Sequence, residues 1–315
     1  MALRVAVTLG LPDRLRGDGA TADQVATELN ASPVALDLLL SHLTTLGIVE
    51  RAPTGYRTTD RGTALCADAD NNLTNLLHLD AAGGRAELAY VELLHSVTTG
   101  QPGYPRRYGR DFWSDLTDEP RLRETFDDQM TRRVRAQVPR IVAGCDWSRF
   151  ATIVDVGGGR GTLLAAILEA NPEVRGHLVD LDATATAARR TFDDHGLGDR
   201  ARATAGSFFD PLPAGADAYL LFDILHNWDD EHAGRILARC AEACHPTGRV
   251  LVVEGVAGRR ADTQSGLTML VIHGGRERRV DEFRALAGAR GLVLDAVTDL
   301  TDQRCLLEFR LDATA

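Results

Sequence analysis

The chain has 315 residues, 44% of them hydrophobic and 25% charged, with a formal charge of −10. That composition is ordinary for a folded globular protein, and the length accommodates two domains. The acidic balance argues against nucleic acid as a partner, because its phosphates must be met by an excess of basic side chains. No apolar run approaches bilayer-spanning length, so no membrane partner is expected either. Every basic residue other than histidine is arginine, which excludes Schiff-base, phosphate-loop and general-base lysines. The N-terminus begins in an amphipathic pattern at Met1-Ala2-Leu3-Arg4, without a secretory or transit signal, so a cytoplasmic location is expected.

The first 82 residues read as a mostly helical winged-helix domain. Thr21 and Gln24 have capping-box spacing and open a helix through Leu29. Ser32 and Pro33 form an N-cap and first-turn pair, and start a helix through Leu46 before Gly47. Ile48-Val49-Glu50 and Tyr56-Arg57-Thr58 flank a turn at Ala52-Pro53-Thr54-Gly55, a hairpin pattern. Winged helices often read DNA. Here, however, residues 1–80 carry six Arg against ten Asp and Glu, and the would-be recognition helix contains no Arg or Lys but does contain Asp37. Its apolar positions nearly surround it, which predicts burial on most sides and a dimerisation or scaffold role.

Residues 83–145 read as a helical segment, with helices over about 86–96 and 120–143 and a turn-rich connector at Gly100-Gln101-Pro102-Gly103-Tyr104-Pro105. Phe112, Trp113, Phe126 and Met130 supply large apolar side chains, as core or as walls for a flat ligand.

From about residue 146 to 315, strands alternate with helices. Thr152–Asp155 and His177–Asp180 are short apolar runs ending in an acid. Ala201–Ala205, Ala218–Leu221 and Arg249–Glu254 continue the series, and Leu292–Asp299 with Cys305–Arg310 close it as a strand pair. Repeated β-α units predict an α/β, Rossmann-like sheet with helices on both faces, binding its ligand beyond the carboxyl ends of the strands.

Cys66, Cys145, Cys240, Cys244 and Cys305 lack the paired spacing of a disulfide framework. Cys240 and Cys244 would share a helical face, but without further ligands at zinc-like spacing they read as packing residues. No metal is expected.

Asp155-Val156-Gly157-Gly158-Gly159-Arg160-Gly161-Thr162 is the most informative segment. It follows a strand and opens a helix, and its glycines allow a sharp turn and close approach to a ligand. Asp180, ending the next strand, is placed to accept hydrogen bonds from a ribose. A nucleoside-bearing cofactor at this switch point follows. Glycines at 157, 159 and 161 differ from the dinucleotide G-x-G-x-x-G pattern. The G-x-G-x-G spacing after an acid looks like an S-adenosylmethionine loop, and Asp155 would repel pyrophosphate but suit an ammonium or sulfonium.

The chain resembles the small-molecule O-methyltransferases of the caffeate, anthracycline and naphthoic-acid type. The resemblance lies in Val156-Gly157-Gly158-Gly159-Arg160-Gly161, Asp180-Leu181, Gly206-Ser207-Phe208-Phe209-Asp210-Pro211, Leu225-His226-Asn227-Trp228-Asp229-Asp230 and Gly274-Gly275-Arg276-Glu277-Arg278. Thr99-Gly100-Gln101-Pro102, Tyr108-Gly109 and Phe112-Trp113 are similar to the naphthoic-acid enzymes in particular. It implies a homodimer that uses S-adenosylmethionine, releases S-adenosylhomocysteine, and methylates a hydroxyl of a small aromatic, polyketide-type acceptor. It further implies Asp155, Gly157, Gly159, Asp180, Leu181, Gly206, Ser207 and Phe208 around the cofactor, with Phe208 stacked on adenine. His226 would be the general base, with Glu254 and Glu277 holding its imidazole. Phe126, Met130, Trp228 and His273 would face the acceptor, and His273 would be a reserve base.

Ser207, Phe222, Asn227 and Gly266 stand where the family often has an acid, Lys, Asp and Asp. The family pattern also places one or two helices before the segment starting at Ala2. Three other readings stay open: the same fold and cofactor with a non-methylating reaction or with an N, S or carboxyl acceptor, an NAD-dependent oxidoreductase, and a ligand-sensing winged-helix regulator. Glycine spacing and the single nucleotide-binding half disfavour the oxidoreductase, and the acidic N-terminal unit disfavours the regulator.

Overall fold

The computed structural model describes residues 1–312. Two compact units emerge, one from residues 1–88 with 113–129 and one from residues 89–112 with 130–315.

In the first unit, helices Ala2–Thr8, Leu11–Arg14, Ala22–Leu29 and Pro33–Thr45 precede strands β1 (Val49–Ala52) and β2 (Gly55–Thr58). The capping box forms as the spacing predicts: the Gln24 backbone N–H donates to Thr21 Oγ1 at 3.2 Å, and the Thr21 N–H to Gln24 Oε1 at 2.8 Å. β1 and β2 pair antiparallel, completing the helix, helix, hairpin outline. The Pro33–Thr45 helix departs from the expectation of burial on most sides. Leu36, Leu40 and Leu43 enter the core, whereas Val34 and Leu38 are 73% and 68% exposed. The excess of leucines hid an ordinary one-sided helix, since the i, i+4, i+7 stripe alone reaches the core.

The second unit is built on seven strands: β3 (Thr152–Val156), β4 (Arg175–Asp180), β5 (Ala201–Ala205), β6 (Ala218–Phe222), β7 (Arg249–Glu254), β8 (Leu292–Asp299) and β9 (Cys305–Leu311). Their order is β5-β4-β3-β6-β7-β9-β8. The first five run parallel, and β9 inserts antiparallel between β7 and β8. Side chains alternate between two cores. Ala218 and Leu220 of β6, with Leu251 and Val253 of β7, face helix Thr162–Ala170. Tyr219 and Leu221, with Val250 and Val252, face helices Asp230–Ala243 and Val280–Gly288. Both sheet faces are therefore covered, as parallel strands buried on two sides require.

Upstream in this unit, Gly100-Gln101-Pro102-Gly103-Tyr104-Pro105 is not purely a connector. Tyr104–Tyr108 forms a short helix with Pro105 in its first turn. Cys240 and Cys244 are buried and free, and burial raises both thiols, Cys244 to about 11. They behave as packing residues.

Candidate active site

β3 lies between β4 and β6, so the chain reverses its direction of winding there and leaves a crevice at the strand ends. Gly157, Gly159 and Gly161 all have positive φ, between 61° and 78°. A Cβ on Gly158 would come within 2.2 Å of Asp155 Oδ2, so the loop wraps its own acid. Asp155 is 1% exposed, and neither carboxylate oxygen has a hydrogen-bond partner. Burial first, and the neighbouring Asp180 charge second, push its carboxyl up to about 7. A buried, unpaired carboxylate is costly unless something cationic or proton-donating meets it.

At the end of β4, Asp180 is oriented by two backbone donors, Gly159 N–H to Oδ2 at 2.9 Å and Leu181 N–H to Oδ1 at 2.7 Å. Leu181 is 46% exposed, and Gly206 is tied to Asp180 through its N–H. Ser207 Oγ accepts from the Phe209 N–H, a turn-closing bond. Phe208 meets Phe209 and Trp228 edge-on, with centroids 5.0 and 5.8 Å apart. Trp228 is thus grouped with Phe208 and Phe209. Phe222 packs into the apolar core on the opposite sheet face.

His226 sits in the 3₁₀ turn Leu225–Asn227 just after β6 and is 3% exposed. Its Nδ1 lies 3.1 Å from Glu277 Oε1. Glu254 differs from the sequence expectation. Its Oε1 accepts from the backbone N–H groups of Leu225 and His226, so it holds the turn and not the ring. The turn leaves those two amides unpaired within itself, and the acid ending β7 is the acceptor that reaches them. Burial pushes the Glu254 carboxyl up to about 7, with His226 opposing and Glu277 adding. Burial also works against charge on His226, yet its pKa is raised, because the Glu277 hydrogen bond and the charges of Asp223, Glu254 and Glu277 outweigh it. His273 goes the other way. Burial and the nearby His226 lower it to about 3, against the pull of Asp111, so it is neutral.

Gly275 lets the Gly274–Gly275 turn press on the histidine turn, since a Cβ there would stand 2.1 Å from the His226 carbonyl oxygen. Arg278, fully buried, donates to the carbonyls of Leu225 and Trp228 at 2.8 and 2.7 Å and to Asp230 at 2.9 Å. It sits beside Glu277 in the motif, but sequence reasoning gave it no role. Met130 lies in this unit, partly buried. Phe126 lies in the first unit, edge-on to Trp113 with centroids 5.8 Å apart.

The O-methyltransferase domain family matches residues 90–293, and the O-methyltransferase dimerisation domain matches residues 1–68. The chain is similar to the 2,7-dihydroxy-5-methyl-1-naphthoate 7-O-methyltransferase of Streptomyces carzinostaticus, 44% identical over 298 residues that cover 94% of this chain and 90% of that one. It is also similar to the aclacinomycin 10-hydroxylase RdmB of Streptomyces purpurascens, 41% identical over 303 residues covering 93% and 81%. Among solved structures it resembles NcsB1, an O-methyltransferase from neocarzinostatin biosynthesis in complex with S-adenosylmethionine and 2-hydroxy-5-methyl naphthoic acid. The TM-score is 0.90 at 42% identity, covering 99% of this chain and 95% of that one.

Proposed function

The chain belongs to the S-adenosylmethionine-dependent O-methyltransferase family, and from that premise we propose that it methylates a hydroxyl of a naphthoate-like aromatic polyketide with His226 as general base. The observation that carries this reading is the His226–Glu277 contact on the crevice edge of the sheet, a buried imidazole with one nitrogen occupied and the other available.

The loop residues fit the cofactor. Asp155 supplies a buried carboxylate with no partner, which suits a cationic group. Gly157 and Gly159 hold the backbone open, and Asp180 offers acceptors at the end of β4. Leu181, Gly206, Ser207 and Phe208 complete the binding wall. The bound cofactor supplies an electrophilic methyl group.

The residues of the chain do the rest by position and proton transfer. A phenol ionises near 10, so little of it is ionised at neutral pH. Glu277 occupies Nδ1 of His226 and leaves Nε2 to take the phenolic proton. Glu254 and Arg278 fix the turn that carries the ring. His273 stays neutral and is a hydrogen-bonding group toward the acceptor. Residues 1–82 serve dimerisation, 83–145 the acceptor side, and 146–315 cofactor binding and chemistry. A cytoplasmic location belongs to the same proposal: all five cysteines are free, and no helix among the described residues is long and apolar enough to cross a membrane.

A second reading has one observation behind it, the relative named as a hydroxylase. One experiment separates the two. The purified chain is incubated with S-adenosylmethionine and a panel of hydroxylated naphthoic acids and quinones. Methyl transfer gives a mass gain of one methylene with matching release of S-adenosylhomocysteine. Oxygen insertion without methyl gain on every acceptor consumed would replace the first reading with the second.

A further inference from the structure

Asp223 and Arg304 add a buried charge pair next to the histidine turn. Asp223 follows β6 with φ +54°, a left-handed conformation uncommon for a residue with a side chain. Its backbone is held there on both sides: its N–H donates to the Val253 carbonyl at 3.0 Å, and its own carbonyl accepts from Asn227 Nδ2 at 3.1 Å. The bend brings its carboxylate to the start of β9. There Arg304 Nη2 donates to Oδ2 at 2.9 Å, and Nε lies 2.7 Å from Oδ1. The side chains are 1% and 16% exposed for Arg304 and Asp223.

Three carboxylates act on His226, and a fourth, the exposed Asp230 that opens helix Asp230–Ala243, is tied to Arg278. Glu277 reaches the ring from the segment after helix Thr263–His273, Glu254 from β7, and Asp223 from the end of β6. His273 adds a neutral ring. Arg304 acts on Asp223, Glu277 and Glu254; Arg278 acts on Glu254; and Arg133 acts on Asp223. Among the nearly enclosed groups, three carboxylates face two guanidiniums. With Glu254 ionised the set is one negative charge in excess while His226 is neutral, and Glu254, raised to about 7, competes with the ring for the proton that balances it. Enclosed charges that do not balance are expensive, so the balance decides how many protons the set takes up.

We propose that the Asp223–Arg304 pair is a positioning device for the proton transfer, fixing the charge of the enclosed set so that His226 takes one proton from the acceptor hydroxyl. The O–H bond breaks, its proton moves to Nε2, and the electron pair stays on the oxygen that attacks. This rests on His226 being the base. The pair itself touches neither the proton nor the acceptor.

The test uses the full chain with Asp223→Asn, Arg304→Gln and the double variant. The His226 ring is titrated by NMR in histidine-labelled protein, with its signal assigned by loss in His226→Gln, and the pH profile of kcat/KM is recorded in parallel. Asp223→Asn moves the titration and the acid limb to lower pH, and Arg304→Gln moves them to higher pH, each by about half a unit or more. The double variant returns close to the parent. If Arg304→Gln alone does not fold, the downward shift must still appear in Asp223→Asn and vanish in the double variant. Loss of activity without opposed, mutually cancelling shifts overturns the proposal. The two readings fail separately. Full activity in His226→Ala removes the general base while the ring shifts stand, and a dead His226→Ala with unshifted titrations removes the charge device while the base stands.

Discussion

Glu277 Oε1 and His226 Nδ1 lie 3.1 Å apart, with both side chains at most 5% exposed. Burial makes this contact decisive for the ring, because no water competes for Nδ1. His226→Ala is expected to lower turnover about 100-fold or more, the range for loss of a general base. Glu277→Gln, which keeps the shape and removes the charge, is expected to cost about 10-fold or more in kcat with little change in cofactor affinity. Steady-state kinetics with calorimetric cofactor titration checks both.

The raised affinity of His226 for a proton sets the pH dependence. As the proposed base the ring acts while neutral, so kcat/KM is expected to rise with pH along a limb displaced above the ordinary histidine range. Stability runs in the opposite sense. A folded-state pKa above the unfolded one gives stabilisation present at low pH and lost as pH rises through the folded value. A pH–rate profile on the alkaline side of the usual histidine range, absent in Glu277→Gln, is the expected record.

Asp155 gives a third prediction. Its carboxyl, raised to about 7, holds a proton in the folded state that the unfolded chain has already lost. Stability of the cofactor-free protein therefore falls as pH rises from about 4 through 7. Asp155→Asn should raise Tm above that of the parent at pH 8, with the difference closing toward pH 4. Its affinity for S-adenosylmethionine should drop about 10-fold or more through loss of a charge-assisted partner. Thermal melts across pH, with and without the cofactor, measure both effects.

Gly275→Ala would place a methyl 2.1 Å from the His226 carbonyl oxygen and 2.8 Å from the Trp228 nitrogen. Both contacts are backbone, so the histidine turn itself must move. A loss of about 1–3 kcal/mol in stability is expected, as for overpacked cores. kcat should fall more than cofactor affinity, because the glycine loop lies on a different strand end. Denaturant melts and kinetics separate the two.

Arg278→Met would keep most of the buried volume and remove the guanidinium's bonds to the Leu225 and Trp228 carbonyls, leaving Leu225 the bond from the Trp228 N–H. Losing these two charge-assisted hydrogen bonds in a buried site is expected to cost about 2–4 kcal/mol. Denaturant unfolding reads this directly, and activity should fall with the turn's order.

Much of the sheet was legible because β3, β4 and β7 are short apolar runs that end in an acid or run into the glycine turn. The segment 152–155 became Thr152–Val156, and the closing pair ended one residue later, at Leu311. The place of β9 between β7 and β8 was not legible, since neighbours in sequence are the default neighbours in a sheet and nothing local marks the insertion. The glycine loop carried its own signal in spacing. Glu254 was marked as important but given the wrong partner, because its register on β7 points it at amides that only the folded turn presents. Asp223 and Arg304 lie 81 residues apart, and neither belongs to a motif, so only the packed structure joins them. The short helix Tyr104–Tyr108 was hidden by Gly and Pro on either side of its start.

Residues 113–129 belong to the first unit, although the segments on both sides of them belong to the second. The polypeptide therefore passes from one unit to the other three times. No single cut yields both units whole: a fragment ending at residue 88 lacks the 113–129 segment of its own unit, and one starting at residue 89 carries that segment without the rest of its unit. Engineers who wish to isolate the second unit must remove residues 113–129 as well as 1–88 and join residue 112 to residue 130.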